Sequence, residues 1–111
     1  MKKLGTINVA GIEFTVYTGT AAERDTLENA FGYCDRQHAE IWLREGLSPS
    51  LHANTILHEI IHGVYEHSGV SKFVEHSLKD GVDKDVFEET LIQLLVPHLL
   101  PALADARKLK S

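Results

Sequence analysis

Five consecutive residues, His58-Glu59-Ile60-Ile61-His62, carry the densest chemistry in the chain. On a helix, histidines at i and i+4 project from one face, near enough to share one ion. Imidazole nitrogen suits zinc, which takes about four ligands at roughly 2 Å. Glu59 stands about 100° round the axis from His58, so it borders such an ion instead of binding it. From there its carboxylate can accept a proton from a water that the metal has acidified to a pKa of about 7. The chemistry is metal-assisted hydrolysis. The competing reading of the same five residues is a pair of surface histidines flanking a glutamate.

A catalytic zinc keeps three protein ligands and one open position. The same helix does not supply a third histidine at the next useful spacing, because position 68 is Ser68. His67 falls well round the helix and reads as a solvated helix end. A downstream carboxylate is the better source. In Phe87-Glu88-Glu89-Thr90-Leu91-Ile92, the apolar positions Leu91, Ile92, Leu95 and Leu99 follow Glu88 at helical spacing, which puts Glu88 on the inward face. A buried carboxylate needs a partner, and a metal is one. Glu88 is therefore the expected third ligand and Glu89 the alternative; a solvated acidic helix start is the bland reading of both. Tyr65, one turn past His62, and His76 are candidates to stabilise the oxyanion of a tetrahedral intermediate, on residue type and proximity alone. His38, His52 and His98 have no spacing that ties them to the site, and His98 reads as a half-buried helix residue. Trp42 and Tyr33 read as sheet packing.

These side chains need a helix, and the sequence frames one. Ser48-Pro49 places serine at the N-cap and proline at the first helical position, and Gly69 supplies a left-handed stop near Ser68. Around that helix His58, His62, Glu59, Thr55, Tyr65 and Glu66 gather on one side, with Ile56, Leu57, Ile60, Ile61 and Val64 opposite. One face reads as site and the other as core. Upstream, Ile7 and Val9, then Ile12, Phe14 and Val16, alternate about Ala10-Gly11 as a hairpin. Thr20 to Ala30 reads as a short helix. Phe31 to Asp35 and His38 to Leu43 form a second strand pair about Asp35-Arg36-Gln37. Ser71 to Leu78 is a short helix or ordered loop. Asp83 to about Lys108 is helical in period, with Pro97 and Pro101 expected to kink or split it. The expected fold is α+β: a small, mostly antiparallel sheet of two hairpins, then the site helix and a C-terminal helix.

The bulk numbers agree with one domain. A chain of 111 residues buries roughly two thirds of its unfolded surface and needs no metal as a structural staple. A hydrophobic fraction of 43% with 24% charged residues is that of a globular chain. The net charge of −5 argues against a nucleic-acid footprint. Arg107, Lys108 and Lys110 cluster where a helix C-terminus favours cations. Cys34 is alone, so no internal disulfide forms. Lys2 and Lys3 are followed by no apolar signal core, and no apolar run approaches the roughly 18 residues of a bilayer span. The expected compartment is the cytoplasm, with no membrane contact.

The stretch Thr55-Ile56-Leu57-His58-Glu59-Ile60-Ile61-His62-Gly63-Val64 resembles the extended zincin signature, and a downstream glutamate is the gluzincin arrangement. The order of hairpin, strand pair, signature helix and glutamate-bearing helix, from about Ile7 to Leu100, resembles the minimal gluzincin-like domains of phages and bacteria. These include the ImmA/IrrE-type metallopeptidases. The resemblance implies zinc held by His58, His62 and Glu88 or Glu89, with Glu59 as general base. It also implies a cleft bordered by the strand His38 to Leu43, which would pair an extended substrate by strand addition. The chain departs from the larger family after the glutamate: Glu89 and Thr90 follow Glu88, where that family has a small residue and an asparagine. The implied activity is a zinc-dependent endopeptidase acting on a protein or peptide, its specificity set by surface loops or a regulatory protein partner. The alternative is a non-enzymatic, zincin-shaped phage or prophage binding module, with or without metal.

Overall fold

The computed structural model describes residues 1–109, so Lys110 of the basic cluster lies outside the described residues. Strands β1 (Lys2–Val9) and β2 (Ile12–Gly19) pair antiparallel about Ala10-Gly11. Both turn residues have positive φ, 53° and 84°, the backbone twist that lets a two-residue hairpin match its strands. The expected helix over Thr20 to Ala30 contracts to a 3-10 turn, Asp25–Glu28. Arg24 gives it no side-chain cap and Leu27 is its only buried residue, so neither cap nor apolar stripe sustains a longer helix.

Strands β3 (Gly32–Asp35) and β4 (Glu40–Arg44) make the second hairpin. The sheet order is β1-β2-β4-β3, with β2 and β4 parallel. This order corrects the strand expected to take substrate. Both edges of β4 are already paired, to β2 and to β3, so the free edge on that side belongs to β3.

Helix α1 (Pro49–His67) starts where Ser48 accepts from the Leu51 amide at 3.3 Å, and Gly69 follows its end at φ 90°. Its seating on the sheet differs from the two-faced reading. The row buried against the sheet is Thr55, Glu59 and Gly63, whereas Ile56, Leu57, Ile60 and Ile61 are half-buried and Val64 is exposed. Small residues explain this. A β-carbon on Gly63 would stand 2.8 Å from Val9 Cγ1, so the bare glycine lets the helix backbone close onto the hairpin. Beneath it lies a core of Val9, Phe14, Val16, Ile41 and Leu43, with Ile56 and Ile60 laid against its rim.

Helices α2 (Val70–Ser77) and α3 (Lys84–Ala106) complete the chain. Asp83 caps α3 by accepting from the Asp85 and Val86 amides, both at 3.0 Å. Contrary to expectation, α3 continues unsplit through Pro97 and Pro101. Both prolines are exposed, so the carbonyls of Gln93 and Pro97 that lose helical donors lie on the solvent side. The helix buries Glu88, Ile92 and Val96, while Leu95 and Leu99 of the expected stripe are exposed. By length and composition α3 would also serve as a bilayer span, which the run-length reading of the sequence missed. Its first two turns are nonetheless engaged in the fold by Glu88 and Glu89.

Candidate metal centre

Because His58 and His62 are one turn apart on α1, their rings meet edge to face at 4.9 Å and their Nε2 atoms stand 3.2 Å apart. Glu89, in the second turn of α3, spans the pair. Its Oε1 lies 2.8 Å from His58 Nε2 and its Oε2 lies 2.9 Å from His62 Nε2. Ligands at about 2.0–2.2 Å in a tetrahedral shell stand about 3.3–3.6 Å from one another. The three groups thus need to open by less than about 1 Å to accept such an ion.

Glu88 occupies the inward face, as its period required, but it has a different partner. Its Oε2 lies 2.5 Å from His62 Nδ1, the opposite ring nitrogen, and 2.5 Å from Arg36 Nη2. The structure therefore brings Glu89, the alternative, to the Nε2 atoms, and gives Glu88 the outer side of the His62 ring. Arg36, from the β3–β4 turn, also donates to Glu66 at 3.1 Å. A carboxylate receiving a guanidinium can only accept, so the His62 ring proton is assigned to Nδ1 and Nε2 keeps its lone pair. That lone pair faces the Glu89 carboxylate and the His58 ring nitrogen. Such a convergence of acceptors calls for a cation or a proton between them, and the donor set of two imidazoles and one carboxylate suits zinc. Burial also pushes the His58 pKa down, with His62 adding to the effect against Glu89, which favours the neutral imidazole that a metal requires.

Glu59 is buried between α1 and β3. Burial pushes its carboxyl up to about 7, with His62 pulling it down and Glu89 pushing it up. A carboxylate of that strength is well matched to proton transfer near neutrality. Beside it a cavity of about 470 Å³ opens between β3 and α1, lined in part by Gly32, Tyr33, Thr55, His58, Glu59 and Glu89. Gly32 makes the seat for Glu59. A β-carbon there would fall 2.6 Å from Thr55 Cγ2 and 3.2 Å from both Glu59 Cγ and Oε2. Gly32→Ala should accordingly cost about 1–3 kcal/mol, read as a lowered denaturation midpoint, because α1 must lift from the strand. An unchanged midpoint would mean the contact is slack.

Tyr65 and His76 are corrections. Tyr65 is buried, but beyond the Arg36–Glu88 pair, where it lines a separate cavity of about 200 Å³ with Glu66, Lys72 and Lys84. Burial, then the Glu88 charge, raises its phenol pKa. One turn past His62 proved one turn too far. His76 is exposed on α2 and does not line the His58–His62 cavity. His67 is not a solvated end either: it meets Phe14 edge-on at 5.6 Å, with a buried Nε2 that has no partner. His98 is exposed instead of half-buried. His38 pairs with Asp35 at 2.9 Å, away from the cluster. Trp42 does pack on the sheet, stacked on Tyr17 at 4.8 Å, and the Arg24 guanidinium lies over both Trp42 and Tyr33. The residues that sequence reasoning missed are Arg36 and Gly32. Arg36 read as turn composition, and no spacing links a turn residue to a helix 26 positions later.

Comparison with family models, with curated proteins and with solved structures returned no match.

Proposed function

We propose that this chain is a zinc-dependent endopeptidase whose centre is His58, His62 and Glu89, with Glu59 as the general base. One observation carries the reading. Two imidazole nitrogens and a bidentate carboxylate converge at 2.8–3.2 Å beside the buried Glu59. Zinc, when bound, would supply Lewis acidity and lower the pKa of a coordinated water to about 7.

The chain's own residues do the rest. Glu88 and Arg36 fix the His62 ring and its tautomer from behind, the service that outer-shell carboxylates give to metal-ligating histidines. Glu59 accepts the proton of the attacking water and passes it to the leaving amine. An extended peptide would add to the free edge of β3, where backbone pairing gives affinity and the cavity floor takes a side chain. That edge, not β4, borders the His58–Glu89 opening.

The test is metal content followed by cleavage. The purified chain should bind one zinc, gain about 4 kcal/mol of stability at a thousandfold excess over Kd, and cut an unstructured protein or peptide library. A chelator should abolish the cleavage and zinc should restore it. A chain that stays metal-free in excess zinc overturns the reading. Zinc bound with no cleavage would favour the binding module on the same scaffold.

A further inference from the structure

We infer that a second copy of this chain covers the apolar side of α3. The surface is too large for a solitary chain of this mass. At 12.4 kDa a compact monomer exposes roughly 6,100 Å². This chain exposes 7497 Å². Its radius of gyration is 14.9 Å, against about 13 Å for a compact domain of this length. A standard interface removes about 800 Å² from each partner, well within that excess.

The uncovered area lies along α3. Beside the buried ridge of Glu88, Ile92 and Val96 runs a second ridge, Leu91, Leu95, Leu99 and Leu103, at four-residue spacing. Leu95 is 39%, Leu99 37% and Leu103 48% exposed, and neighbouring Leu94 is 66% exposed. Between Glu89 and Asp105 the helix carries no charged residue. A mostly apolar groove of about 630 Å³ continues this surface between α1 and the end of α3, bordered by Ile56, Leu57, Ile60, Leu100 and Leu103, with Arg107 the one charged residue in its lining.

The composition favours a second copy over other occupants. A twofold contact sets a patch against itself, and the ridge of Leu91, Leu95, Leu99 and Leu103 carries no charge to repel its twin, Arg107 lying beyond it. Ridges at four-residue spacing interdigitate with the same ridges of another helix, the commonest packing of two helices. A bilayer fits less well. Any span of 18 residues within α3 includes Glu89, which is paired with His58 and His62 in the fold, and helices that lie on membranes carry Lys or Arg along the polar face. In α3 the charged residues beyond Lys84 are Asp85, Glu88, Glu89 and Asp105, and the basic Arg107 and Lys108 follow only past its last residue, Ala106, so none lines a polar face along the helix. Since Glu88 and Glu89 ride on α3, the contact would also brace the helix that carries both site carboxylates. It rests on surface area and composition, not on the metal reading.

Sedimentation equilibrium at about 10 µM, a concentration at which interfaces of this size are commonly occupied, decides the matter. The expected mass is twice 12.4 kDa. Leu99→Glu and, separately, Leu103→Glu should halve it with the helical circular dichroism unchanged. Phe73→Glu, on exposed α2, should leave it dimeric. Leu103 is the more exposed of the two leucines, so its variant serves if Leu99→Glu does not fold. A monomeric wild-type chain overturns the inference, and its flotation with phosphatidylserine-containing vesicles would assign α3 to a bilayer instead. A dimer indifferent to the leucine changes overturns it as well.

Discussion

Under the proposed function, Glu59→Gln should keep zinc bound and lower peptide cleavage by a factor of about 10²–10⁴, the usual share of a positioned general base. The substitution is close to isosteric, so the side chain still fits the slot against Gly32 and Thr55. Only proton acceptance is removed. Stability separates this outcome from simple unfolding. Burial raises the Glu59 carboxyl to about 7, above its ordinary value of 4.5. A raised carboxyl favours the fold most below the ordinary value, and that contribution falls as pH rises toward 7, because the unfolded chain ionises first. In the metal-free chain above pH 7, Glu59→Gln should therefore be at least as stable as the parent, measured by urea titration. Undiminished cleavage, or loss of zinc with the substitution, would take Glu59 out of its role.

Zinc affinity should respond in opposite measure to the two adjacent glutamates. Glu89→Gln removes the carboxylate that, alone among the described residues, reaches the Nε2 atoms, at 2.8 and 2.9 Å. Glu88→Gln instead weakens the bond to His62 Nδ1 and strips Arg36 of its buried partner. Outer-shell partners of metal-bound histidines are typically worth about 10–100-fold in affinity or activity, and a lost ligand costs more than that. Competition against a chromophoric chelator should thus rank Glu89→Gln as the more damaging change, beyond about 100-fold. The reverse order would return the third-ligand place to Glu88.

The expectations that held were those written in local terms. Ser48-Pro49 and Gly69 framed α1 because capping and left-handed stops depend on a few consecutive residues. The two hairpins were legible from alternation about Ala10-Gly11 and about the Asp35 turn. The 3-10 turn at Asp25–Glu28 was misjudged because polar, helix-prone composition says nothing about burial. The strand bordering the cleft was misassigned because pairing order, unlike pairing itself, is not local. Nothing in the residues of β4 tells that it lies between β2 and β3.

By itself the sequence determined that His58, Glu59 and His62 share a helix with fixed angular offsets, since a helical period is set by the backbone and nothing distant alters it. It determined equally that a carboxylate pair follows on a later helix. Tertiary structure alone decided which of the pair meets the Nε2 atoms of the imidazoles and which meets His62 Nδ1. Glu88 and Glu89 differ by about 100° of rotation, and that difference acquires meaning only once α3 crosses α1 at one height and Arg36 claims the nearer oxygen. Interatomic contact across 26 residues is a property of packing, and packing is where the assignment was made.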